Sequence, residues 1–406
     1  MAIGGVLERR RAASLRTGEI PVRTAVPGPA HRAGWTSRPA LAAAALTAGR
    51  LVGGLVLAAL AVRFHAGGLG AAPGVGDAHS LTGAFMHWDA GWYRDIVRSG
   101  YAGAAARTSF FPVYPMLVHL LTATGLPYTG AALGLSWVAL FFATWSVIEL
   151  TGALFPEVRA ARAGILFTWF PMSVFLLSGY AEAVFAALAG WSFVMVARRS
   201  YAPAVVLAAL ASAARPEGFL VGTAAVVALV LAGRYARAAL AAVGGVAGLA
   251  AFSAYCWVQF GTPIAYVRVQ AYWTRETTLP FVMVARNLHL LLIGAPGGGA
   301  YHLAILVQDV LIVGAAVAVV GLARLARRRP ELGPFVPFTA LTVLLAASNG
   351  VGGVLPNGSG RMILGLVPLY ALAARAEGRR WRLLVAGSCV LAVLLQMLFN
   401  AGLTVI

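Results

Sequence analysis

The chain contains no lysine; all 31 of its basic residues are arginine. It has 13 acidic residues in 406 and two cysteines. Each shortage excludes something. Charged residues make up 11% of the chain, against about a quarter in soluble domains. An ordinary soluble fold is therefore excluded. Cys256 and Cys389 both stand inside apolar runs, which is the setting of packing thiols rather than of a disulfide or a metal pair. No CxxC, HExxH or paired-histidine spacing occurs. No glycine-rich loop follows a strand pattern; the GGG at 297–299 precedes an apolar run. Without a soluble α/β domain there is no seat for a cytosolic nucleotide-sugar donor. The net charge of +18 does not mark a nucleic-acid partner either. The arginines fall in short clusters between apolar runs, and no basic face with stacking aromatics appears.

What is present is apolar. Hydrophobic residues make up 60% of the chain and mean hydropathy is +0.82, so an all-α polytopic membrane protein is expected. Residues 1–40 carry seven arginines with Pro and Gly and no helical period; they read as a disordered cytosolic tail without the apolar core of a signal peptide. Residues 41–406 form the expected membrane domain. Its apolar runs lie near 41–63, 111–127, 129–150, 163–179, 182–197, 201–214, 217–233, 238–258, 301–323, 334–355, 362–374 and 383–404. Two polar stretches interrupt them, a first loop at 64–110 and a second at 259–300. Placing the arginine clusters in the cytosol gives 11 spans with the C-terminus outside, 111–127 being re-entrant or interfacial. If 111–127 crosses, there are 12. The same topology puts both long loops, YAE at 180–182, RPEG at 215–218 and NGSGR at 357–361 on the extracytoplasmic side.

The first loop holds the most unusual stretch, HWDAGWYRDIVRSGY at 87–101, followed by FFPVYP at 110–115. Asp89 is a candidate general base for an acceptor hydroxyl, because a hydroxyl is a poor nucleophile until its proton has somewhere to go. A pairing with Arg94 or Arg98 is the plainer alternative. Asp95, six residues on, points away from Asp89 on a helix and reads as a pairing residue. Trp88, Trp92 and Tyr93 could face a sugar ring or form an interfacial belt. Glu182, two residues after Tyr180, could favour a helix N-terminus or face the same cavity as Asp89. Arg215, Arg268, Arg275 and Arg361 on the outer side want anionic partners, either a phosphate or one of the few carboxylates. The scattered histidines, His87, His119, His289 and His302, read as satisfied polar residues.

These residues, together with FPMSVFLLSGYAEAVFAAL at 170–188, ARPEGFL at 214–220, FGTPIAYVRVQAYW at 260–273 and SGRMILGLVPLY at 359–370, resemble the PIG-V-type mannosyltransferases. That is the family of the second mannosyltransferase of GPI-anchor synthesis and its bacterial relatives. The likeness spans roughly residues 41–400. It implies a GT-C fold with an extracytoplasmic active site in a bacterial plasma membrane. It implies a polyprenyl-phosphate-linked sugar donor, with mannose expected, and inversion at the anomeric carbon. The family's first-loop aspartate falls on Asp89, its Tyr-x-Glu on Tyr180 and Glu182, and its late arginine on Arg361; Met362 departs from the tyrosine that often follows.

The expected activity is transfer of a sugar from the polyprenyl-phosphate donor to an acceptor hydroxyl on a lipid or glycan. Asp89 would be catalytic. Arg361, with Arg268 or Arg215, would bind the donor phosphate. Trp88, Trp92, Tyr93, Tyr180 and Glu182 would bind sugar or acceptor. No cofactor is required, although a divalent cation at Asp89 is compatible with the sequence. The rivals are a flippase or transporter of polyprenyl-linked sugars and a non-catalytic protein of the same shape.

Overall fold

The computed structural model describes residues 37–64, 80–293, 299–351 and 358–403. Residues 1–36 of the expected tail lie outside these residues, and 37–40 belong to the first helix instead; much of the first loop before Ser80, most of the GGG stretch and Asn357 also lie outside. Thr36–Ile406 forms one compact unit.

Seventeen α-helices lie among the described residues: α1 (Ser37–Phe64), α2 (Asp89–Ser99), α3 (Val113–Thr122), α4 (Tyr128–Leu154), α5 (Ala161–Thr168), α6 (Val174–Leu177), α7 (Glu182–Ala197), α8 (Tyr201–Ser212), α9 (Thr223–Leu231), α10 (Tyr235–Gly245), α11 (Ala247–Phe260), α12 (Ala265–Arg268), α13 (Val282–Leu292), α14 (Gly299–Ala326), α15 (Val336–Ser348), α16 (Val367–Ala373) and α17 (Gly378–Asn400). The strands β1 (Arg275–Thr277) and β2 (Asn349–Val351) pair antiparallel, with Glu276 opposite Gly350.

Five segments are long and apolar enough to cross a membrane: Arg38–Phe64, Tyr128–Leu154, Tyr301–Ala326, Pro330–Ser348 and Gly378–Asn400. A sixth crossing is available from α10 and α11 together, bent by 43°. The chain is thus an α-helical protein built for a membrane, but not by 11 or 12 full-length helices. Apolar runs are not the same as helices. The run at 111–127 yields only the ten residues of α3, about 15 Å of rise against a hydrocarbon core of about 30 Å. The run at 163–179 breaks into α5 and α6 around Pro171, and 362–374 gives only the seven residues of α16.

Helix α4 is the centre of the packing, set against α7, α1, α5 and α16. Where α4 meets α7 the backbones come close: a side chain at Gly190 would overlap Ser146. Small residues at such crossings are how apolar helices gain contact when there is no water to expel. Hydroxyls in α4 turn inward: Thr144 and Thr151 each donate to the carbonyl four residues back. Arg50, fully buried in α1, donates from Nε to the Thr168 carbonyl at 2.8 Å, reaches Ser173 and lies over the Trp169 ring. It thereby ties α1 to the break between α5 and α6.

Candidate functional site

The polar segments that interrupt the helices gather around one cavity of about 440 Å³. That is within the usual range of about 300–1,000 Å³ for small-molecule sites. The cavity is bordered by α2, the 105–111 segment, the turn at 214–219, the second loop, the β1–β2 pair and the turn at 358–362. Segments up to 273 residues apart in sequence thus share one wall.

Asp89 is the first residue of α2 and faces this cavity. Its position has three causes. Trp88 turns the chain with a positive φ of 54°, a conformation that costs about 1–3 kcal/mol and needs support. Tyr180 supplies that support: its hydroxyl donates to the His87 carbonyl at 2.9 Å and accepts the Asp89 N–H at 3.2 Å. Arg361 then donates to Asp89 Oδ2 at 2.7 Å.

Behind Asp89 lies a buried chain of ions. Arg361 also approaches Glu182 at 3.3 Å, Arg215 contacts Glu182 at 2.5 Å, and Arg215 Nε donates to Glu217 at 2.6 Å. Glu182 and Glu217 are almost fully buried. Burial disfavours the Arg361 guanidinium, but Asp89 and then Glu182 outweigh it and hold its pKa above the usual value. Arg215 behaves the same way, with Glu182 and Glu217 as its anions. The Arg361 guanidinium also lies 5.1 Å from the Phe175 ring and 5.7 Å from the Tyr180 ring.

Backbone features make this chain possible. Gly358 takes a left-handed φ of 68° at the start of the Arg361 turn. Gln308 of α14 accepts the Gly360 N–H at 3.3 Å and seats that turn. Gly218 runs so close to α8 that a side chain there would overlap the Ala211 carbonyl. Glu182, in the first turn of α7, stands where a helix N-terminus favours an anion, and it is buried behind the cavity wall rather than facing it.

Asp89, Tyr93, Arg215 and Arg361 line the cavity as expected. Tyr93 keeps its phenol, since burial, and then Glu182, push its pKa well above the usual value. Its hydroxyl makes no hydrogen bond among the described residues and is a donor available to a ligand. Tyr180 and Glu182 stand behind the wall, not on it. Burial, and then Asp89, push the Tyr180 phenol up in the same way. Its part is to position Asp89. Tyr180→Phe should therefore cost about 1–2 kcal/mol of stability, which a thermal melt checks.

Three expectations need correcting. Arg268 is exposed and borders nothing of the cavity. It ends the single turn α12, between the cavity residues Val267 and Gln270 in sequence. Trp88 is not on the wall either; its side chain packs against the core at the α2 start. Trp92 lies one layer back, stacked on Phe110 at 5.8 Å and edge-on to Trp273 at 5.1 Å. The aromatic lining is instead Phe110, Phe111, Phe219, Tyr266 and Trp273, with Tyr93. Sequence reading noted FFPVYP but assigned no role to Phe110 or Phe111, and gave Trp273 none. Their signal was adjacency to the polar loops, which does not say which ring faces inward.

Arg275 does reach the cavity, from β1. Asp95, by contrast, pairs with its neighbour Arg94 at 3.3 Å and is half exposed. Among the described residues no three His, Cys, Asp or Glu side chains form a metal site. A cation at Asp89 would share the carboxylate with Arg361, which already holds one of its oxygens. No family model matches the chain, and no curated protein matches it.

Proposed function

We propose that this cavity is the active site of a membrane glycosyltransferase, moving a sugar, mannose by the resemblance above, from a polyprenyl-phosphate donor to an acceptor hydroxyl. One observation carries the reading: Asp89 is a carboxylate held on the wall of a cavity of about 440 Å³ that charged and aromatic side chains line together. Its backbone is fixed by Tyr180 and one carboxylate oxygen by Arg361, so the other oxygen remains for substrate.

The chemistry is a single displacement. The acceptor oxygen forms a bond to the anomeric carbon as its proton passes to Asp89. The bond from that carbon to the phosphate oxygen breaks, and polyprenyl phosphate leaves with the electron pair. Configuration inverts because attack and departure are on opposite faces. Asp89 supplies the base and Arg361 orients it. Tyr93 and Trp273 supply a hydroxyl and an apolar ring face for the sugar. No step runs through a metal.

A transporter of lipid-linked sugars is favoured by one feature. Asp309 is buried in the Tyr301–Ala326 span, where it accepts from Asn287 at 3.2 Å. Ionisable residues at such depth are functional candidates in transporters. One experiment separates the two. Reconstituted protein receives polyprenyl-phosphate-linked radiolabelled mannose and native membrane lipids. Label leaving the donor for a new product supports the transferase. Label staying on a donor that crosses the bilayer supports the transporter, and neither result sinks both.

A further inference from the structure

Apart from Asp309, which accepts from Asn287, and Glu377, each acidic residue among the described ones lies against an arginine. Glu149 takes Arg198, Glu157 and Glu331 share Arg329, Asp95 takes Arg94, and Glu276 lies near Arg286. At the cavity, Asp89, Glu182 and Glu217 face only Arg361 and Arg215. Three carboxylates thus engage these two guanidinium groups, although the buried Arg361 Nε has no hydrogen-bond partner among the described residues.

Arg275 is different. It lines the same cavity, yet among the described residues no carboxylate lies within ion-pair distance. Among the described residues its only hydrogen-bond partner is neutral, the side-chain oxygen Oε1 of Gln270, to which it donates at 3.4 Å. Burial, and then the nearby Arg361, pull its pKa below the usual value. A partly desolvated cation beside two others is poorly placed until an anion arrives. The pairing of β1 with β2 fixes its backbone, and Thr277, also on the wall, sits two residues on. The second loop also exposes Val267, which lines the cavity, and Ile264 and Tyr272 near it in sequence, apolar surface suited to a chain attached to that anion.

We propose that Arg275 is the anion subsite of the cavity, and that it takes a phosphate oxyanion carried on a lipid chain. This rests on the reading of the cavity as a sugar-transfer site, and moves the phosphate contact from Arg361, Arg215 and Arg268 to Arg275. Arg361 and Arg215 keep the catalytic carboxylate in place.

The test is direct binding to the purified full chain of three probes: citronellyl phosphate, its uncharged alcohol and inorganic phosphate. Arg275→Gln should weaken citronellyl phosphate about 10- to 100-fold and leave the alcohol unchanged. Arg275→Lys should fall between, and Arg268→Gln should match wild type. Tighter binding of the ester than of inorganic phosphate points to a lipid-borne group. Equal binding, lost with Arg275, keeps the anion site and overturns the lipid assignment. Undiminished binding of the ester to an Arg275→Gln protein that melts like wild type overturns the proposal. Sugar transfer is read separately. Transfer with Arg275-independent binding defeats the subsite alone; Arg275-dependent binding without transfer defeats the enzymatic reading alone.

Discussion

Asp89→Asn is expected to lower kcat for sugar transfer by about 10²- to 10⁴-fold, the usual contribution of a general base. The amide keeps the shape of the carboxylate but cannot take a proton. Stability should change little, because Arg361 retains Glu182 at 3.3 Å when Asp89 loses its charge. Donor KM should stay within a few-fold, since the phosphate is assigned to another residue. Asp95→Asn is the matched control: its only partner is Arg94, at the surface, and it should transfer like wild type. A purified Asp89→Asn protein with more than about a tenth of wild-type turnover would remove Asp89 from the chemistry and leave it the role of partner to Arg361.

The identity of Asp89 was legible because acids are rare in this chain, so each one that is present carries weight. The all-helical membrane architecture was legible from composition alone. Helix lengths were not. The run at 111–127 reads as re-entrant or interfacial with a crossing as the alternative, and Pro112 and the Thr122–Gly125 turn leave only ten residues of helix in it. The pairing of charges was hidden for a different reason. Arg361 and Asp89 lie 272 residues apart, and Arg215 reaches Glu182 across two helices. Nothing local to RPEG or SGR says whether its arginine meets a substrate or a carboxylate. Both readings stood open in the sequence, and the carboxylates take both of these arginines in the folded chain. Arg268 and Arg275 show the limit most clearly. They are seven residues apart in one loop, of the same type, and only the later one lies on the strand that borders the cavity.

That division of labour predicts how Arg215 differs from Arg275. Arg215→Met should destabilise the protein by about 3–5 kcal/mol, the usual cost of stranding a buried charge. The anion stranded is chiefly Glu217, which has no cation but Arg215, whereas Glu182 keeps Arg361. Glu217→Gln should cost less, since Arg215 retains Glu182. Combining the two should recover part of the loss, a coupling of about 0.5–3 kcal/mol in a double-mutant cycle read from unfolding midpoints in detergent. Lysine at 215 should rescue poorly, because one ammonium cannot match the fork that spans two carboxylates. If Arg215→Met instead melts within about 1 kcal/mol of wild type, the arginine is not committed to its carboxylates and is free to meet a ligand. Arg275 should show the opposite pattern, with little change in melting and a large loss of anion affinity. An arginine that already holds two buried carboxylates can bind a phosphate only by abandoning them, and the cost of that exchange is what the stability of the Arg215 variant measures.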